Sequence, residues 1–164
     1  MMSQNGLRVP ANRVEKRAVV YWTLQALATV VSVAGVLAVL NWLWESARPV
    51  VSPALIVVVG VGVLYAAGMP TWRYVVHRWE TTAEAVYARS GWYVREWRVA
   101  PISRIQTVDT SRGPIEQMLG LATLTVTTAS SSGAIKISGL DEETAIRQAE
   151  RLTEITQLTP GDQT

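Results

Sequence analysis

Apolar residues fall on every helical face between Val19 and Leu43 and again between Val50 and Met69, and neither run contains a charged residue. A helix needs about 20 residues to cross roughly 30 Å of hydrocarbon, so both runs are of spanning length. A buried helix of a soluble protein normally keeps a polar face, and these do not. Only ESARP, residues 45–49, separates them, which predicts a tight two-helix hairpin over 19–70. After Arg73 the period drops to two. RYVVHRWE (73–80), AVYARS (85–90), WYVREWRVA (92–100) and RIQTVDTS (104–111) are predicted strands, with a polar turn at Thr81–Glu84 and a tight connection at Ser90-Gly91. Pro70 is expected to end the second span and Arg73 to open the first strand, leaving almost no linker.

Gly113-Pro114 breaks the ladder, and IEQMLG reads as a helical turn closed by Gly120. ATLTVTT then alternates strictly, with Ala122, Leu124 and Val126 on one face and threonines on the other, the pattern of a half-buried antiparallel strand. AIKIS (134–138) repeats it after a loop at Ser130–Gly133. Asp141 suits a helix N-cap, and Glu142 and Glu143 suit the positive end of the helix dipole. Ile146, Ala149, Leu152 and Ile155 predict one apolar stripe on a C-terminal helix. The expected architecture is a membrane α-helical hairpin followed by a mainly β domain closed by that helix. Its divisions are a basic tail over 1–18, the hairpin over 19–70, the domain over 71–158 and a flexible tail over 159–164.

Aromatic and basic residues orient the hairpin. Tyr21 and Trp22, Trp42 and Trp44, and Tyr65, Trp72 and Tyr74 flank the spans, where amphipathic rings prefer the headgroup level. Arg8, Arg13, Lys16 and Arg17 precede the first span and Arg73 and Arg78 follow the second, while the connection has only Arg48. The positive-inside rule predicts a multi-pass protein of the cell membrane with both termini cytoplasmic. A cleaved secretory signal over 1–47 is the rival reading; its apolar run is too long and its best cleavage site, around Ser46-Ala47, is poor.

Charge is uneven. Residues 1–78 carry seven Lys/Arg against two acids, a balance of +5, and residues 79–164 carry eight against eleven, a balance of −3. An acidic C-terminal part argues against nucleic acid, whose binding surfaces are basic. The chain has no cysteine and one histidine, so disulfides, thiolate catalysis and cysteine-ligated zinc are excluded. The spans contain no Asp, Glu, Lys, Arg or His, the residues that mark ion paths and proton relays. Gln25, Ala28, Ser32 and Gly35 share one face of the first span; Ser52, Gly60 and Ala67, with Ile56 and Val63, share one face of the second. Small residues let backbones approach, so these form the expected inner seam.

The run RSGWYVREWRVAPISRIQTVDTSRGPIEQMLGLATLTVTTASSSG (89–133), with GLDEETA after it, resembles the bacterial pleckstrin-homology (PH)-like domain of YdbS-type membrane proteins. With the hairpin, the resemblance covers the chain from about residue 10 to 158. It implies a split, curved seven-stranded barrel capped by the C-terminal helix. The sequence itself supplies six strands, and the seventh rests on the resemblance. It also implies partnership with larger membrane proteins that carry several such domains.

No residue pattern calls for catalysis, a metal or a cofactor. His77 lies alone among β-formers, and Ser130–Gly133 lacks the GxxxxGK pattern of a phosphate loop. Arg13, Lys16, Arg17, Arg73 and Arg78 are candidate contacts for anionic headgroups, each such residue contributing about 1 kcal/mol near an anionic leaflet. The turn TTAE carries no basic residue, unlike a phosphoinositide loop. The expected function is a non-enzymatic interaction module at the inner membrane, binding another membrane protein or copies of itself; the alternative is a sensor of anionic lipid.

Overall fold

The chain reverses between two long helices. α1 (Arg17–Leu43) runs out, one 3-10 turn at Glu45–Ala47 turns the chain, and α2 (Arg48–Val76) runs back. Arg48 secures the reversal, with Nε donating to the Asn41 carbonyl at 3.1 Å and an ion pair to Glu45 at 3.2 Å. The structure, a computed structural model, describes residues 9–91, 93–129 and 133–158. Arg8, Trp92, the loop Ser130–Ser132 and the tail expected over 159–164 lie outside the described residues. Both helices are long and apolar enough to cross a membrane.

α2 does not stop at Pro70. It continues through this proline to Val76, and the first long strand begins only at Arg78. A proline forfeits one backbone hydrogen bond, which a long helix packed against a neighbour can absorb. Arg73 is therefore a helical residue and not the start of a strand.

Two antiparallel sheets follow. The first has the order β1 (Asn12–Arg13), β2 (Arg78–Thr81), β3 (Ala85–Ser90) and β4 (Glu96–Pro101); the second has β5 (Ile105–Ser111), β6 (Leu121–Thr128) and β7 (Ile135–Asp141). β1 is the seventh strand, and it comes from the segment expected to be a basic tail. It pairs Asn12 with Trp79 and Arg13 with Arg78. The helical hairpin is thus inserted between the first and second strands of the β domain, so two chain connections join the spans to it. The Glu15 N–H donates to the Gly139 carbonyl at 2.9 Å, tying β1's side of one sheet to β7 of the other.

Between the sheets α3 (Pro114–Leu119) makes the switch, ending on Gly120 in the left-handed region at φ +62°. Glu116 holds this turn. Its carboxylate, 4% exposed, accepts from the Gly113 N–H and from the Thr123 hydroxyl, both at 2.8 Å. β6 alternates as its sequence predicts, with Ala122, Leu124 and Val126 in the core. α4 (Glu142–Leu158) lies over the second sheet and buries Ala145 and Leu152, with Ala149 and Ile155 packed against the core. Ile146 is 43% exposed. Steps of three drift around a 3.6-residue helix, so the stripe that packs begins at Ala145 instead.

Candidate functional site: the junction of hairpin and domain

Trp22 is the pivot of the junction. Expected at the headgroup level, it is instead 1% exposed and part of the core that includes Val14, Ala18, Val86 and Leu124. A ring at the end of a span and a ring that anchors a domain onto that span look alike in sequence. The Arg73 guanidinium stacks over the indole at 4.5 Å, and the His77 imidazole packs beside it at 5.1 Å with a 56° tilt. These two residues lie one helical turn apart at the end of α2, which is why both reach the same ring. His77 is 5% exposed, its Nδ1 has no hydrogen-bond partner, and its backbone N–H donates to the Arg73 carbonyl at 2.8 Å. Burial, with the Arg73 charge nearby, lowers its pKa to about 4, so the ring is neutral at pH 7. That state suits a packing residue.

Around this pivot opens a cavity of about 630 Å³. Tyr21, Trp22 and Gln25 of α1 and Tyr65, Met69 and Arg73 of α2 form one side; the β3–β4 hairpin and β7, with Arg98 and Lys136, form the other. A second hollow of about 290 Å³ shares Trp22, Gln25, Tyr65, Met69 and Arg73 and continues between the helices past Ala26, Thr29 and Val30. Arg98 is committed locally, with an ion pair to Glu96 at 3.1 Å and a hydrogen bond to the Ala134 carbonyl at 3.0 Å. Among the described residues no carboxylate lies within ion-pairing distance of Arg73 or Lys136. Also among these residues, no three His, Cys, Asp or Glu side chains gather as a metal site would require.

The five basic residues singled out in sequence do not form one cluster. Arg17 is an internal tie, bonded to Asp141 at 2.5 Å and to the Leu119 carbonyl at 2.9 Å. Arg73 lines the cavity, and Lys16 is exposed. Arg13 and Arg78 are cross-strand partners, and the same row continues through Arg89 to Trp97. The Arg89 guanidinium sits over the Trp97 ring at 5.0 Å. Arg89 was missed in sequence because only strand register brings it level with the other two.

The inner seam also differs from expectation. Along α1, Trp22 and Ala26 are buried and Val30, Ala34, Leu37 and Asn41 are half-buried, whereas Gln25, Ala28, Ser32 and Gly35 are exposed. On α2, Ser52, Leu55, Val58, Gly62 and Ala66 are covered to some degree, whereas Ile56, Gly60, Val63 and Ala67 are exposed. Ser52 alone of the expected residues serves the seam, its hydroxyl donating to Asn41 Oδ1 at 2.9 Å. Placing Trp22 against the domain rotates α1 by about one residue from the small-residue face.

Residues 17–156 match the bacterial PH domain family. The UPF0699 transmembrane protein YdbS of Bacillus subtilis (strain 168) is 33% identical over 91 residues, 56% of this chain and 53% of that protein. The match thus spans about half the length of this curated relative. No solved structure matches. The described residues form two long apolar helices, seven strands in two antiparallel sheets and a closing helix, an arrangement consistent with a PH-like fold, and the chain belongs to the bacterial PH-domain family.

Proposed function

We propose that this protein is a non-enzymatic interaction module. Its hairpin spans the cell membrane with both termini cytoplasmic, and its PH-like split barrel assembles there with another membrane protein or with copies of itself. The observation that carries this reading is the free edge of β5. Among the described residues Ile105–Ser111 pairs with β6 on one side only, and Gln106, Thr107, Asp109, Thr110 and Ser111 are exposed along it. An extended partner segment can add to such an edge through main-chain hydrogen bonds. The two connections between spans and domain support the reading, because they restrict the edge to a fixed presentation. The test is a photo-crosslinking residue placed at Gln106 or Thr110 of the full chain in its native membrane, with Thr153 on α4 as control. A stoichiometric membrane-protein adduct at the edge and none at Thr153 is expected; equal adducts at all three positions would sink the edge assignment.

A second reading, contact with anionic headgroups, is favoured by the row Arg13–Arg78–Arg89. Like charges directly opposite each other destabilise a sheet. Burial and the neighbouring Arg95 and Arg78 lower the Arg89 pKa below the ordinary arginine value. The row begins two residues beyond the end of α2, and the adjoining hairpin exposes Tyr93 and Val94 to 85% and 67%. An anionic leaflet would relieve this crowding. With a polarity-sensitive dye on Tyr93→Cys, anionic vesicles should shift emission to the blue and salt should reverse the shift. Emission indifferent to lipid charge would remove this reading.

A further inference from the structure

We propose that the cavity at the junction and the hollow beneath it form one cleft that holds a single anionic phospholipid. This goes beyond assembly through β5 and does not depend on it.

The cleft changes character along its length. Its upper part is basic: Arg73, Arg98 and Lys136 face one acid, Glu96, a balance of +2, and His77 is neutral there. Its lower part runs between α1 and α2 from Trp22 to Val30, and apart from Arg73 at its top it carries no charge, with Ala26, Val30 and Met69 beside the polar Gln25 and Thr29. Eight residues of helix correspond to about 12 Å along the span. A phosphate in the upper part meets Arg73, whose guanidinium is held flat by Trp22 and carries no competing ion pair among the described residues. An acyl chain fills the lower part. A soluble anion would leave that hollow empty. A peptide is unsuited to it, because irregular backbone at membrane depth leaves polar groups without partners. The upper volume is in the ordinary range for a ligand site.

The test uses the full chain in mild-detergent micelles mixed with equal mole fractions of phosphatidylglycerol or phosphatidylcholine, with retained lipid counted by native mass spectrometry. One phosphatidylglycerol per chain is expected, with phosphatidylcholine lost. Arg73→Gln combined with Lys136→Gln should weaken retention roughly tenfold or more, the value of a lost charge-assisted contact. Met69→Trp, which fills the hollow and leaves every charge in place, should weaken it as well. Should Arg73→Gln fail to fold, Lys136→Gln and Met69→Trp still decide the matter. Arg13→Gln with Arg78→Gln should leave retention unchanged, separating the cleft from attraction along the outer arginine row. Equal retention of the two lipids, indifference to both the charge and the filling variants, or displacement by glycerol phosphate at equal concentration would each overturn the proposal.

Discussion

Arg17 and Asp141 join the start of the first span to the start of the closing helix: Nη2 stands 2.5 Å from Oδ1, while Nη1 donates to the Leu119 carbonyl at 2.9 Å. One side chain therefore fastens α1 to α3 and to the end of β7, across more than 100 residues of sequence. Both partners are partly exposed, at 47% and 32%, so water and salt screen the pair. Arg17→Gln should destabilise the fold by about 1 kcal/mol and Arg13→Gln by less than about 0.5 kcal/mol. Thermal unfolding in mild detergent at low and high salt checks this. Equal losses for the two variants would show that Arg17 acts only as a surface charge.

Gly139 is fixed by two constraints at once. Its φ is +81°, and an added Cβ would stand 2.6 Å from the Cβ of Ala18. Gly133 has a similar φ of +74°, and among the described residues nothing lies within 4 Å of an added Cβ. Gly133→Ala should cost about 1 kcal/mol, from backbone conformation alone. Gly139→Ala should cost roughly 2–4 kcal/mol, because strain and overpacking add. Matching unfolding midpoints for the two variants would mean that the approach of α1 to β7 is not tight.

The seam of the hairpin separates three glycines. A Cβ on Gly62 would meet Val30 Cγ2 at 2.4 Å, and Val30 is β-branched and stiff, whereas Gly35 and Gly60 have nothing within 4 Å. Gly62→Leu should lower stability by about 2 kcal/mol. Gly35→Leu and Gly60→Leu should leave it within about 0.5 kcal/mol, as expected of exposed positions. Thermal scans of the three variants in one detergent decide it; a loss confined to Gly35→Leu or Gly60→Leu would restore the small-residue face as the seam.

Local chemistry made much of this fold legible. AVYARS is β3 residue for residue, and the Gly120 stop and the alternation of β6 stand where turn and period signals put them. What escaped is what only tertiary contact decides. A two-residue strand has no period, so β1 exists because Arg78 and Trp79 stand ready to pair with it. The segment Tyr74–Val76 is rich in β-formers, yet it continues a helix whose growth from the apolar run overrides that preference. At the junction, Trp22 read as an interface ring and Arg73 as one of five equivalent basics. Their stacking depends on two helices meeting, which no local window contains.

His77 gives the junction a pH dependence whose sign follows from its burial. The folded chain holds the imidazole neutral with a pKa of about 4, while an unfolded chain titrates near the ordinary 6.5. Between these values the unfolded state binds the extra proton, so stability is fully present above pH 6.5 and is lost as pH falls towards 4. The full difference is worth on the order of 3 kcal/mol, of which about 2 kcal/mol is lost by pH 5. His77→Phe keeps an aromatic ring beside Trp22 and removes the titration. Unfolding midpoints of the parent and His77→Phe should therefore diverge progressively below pH 6.5, the parent falling further. Parallel curves from pH 7.5 to 4.5 would mean that His77 meets water in the folded protein, and the buried junction around Trp22 would have to be redrawn.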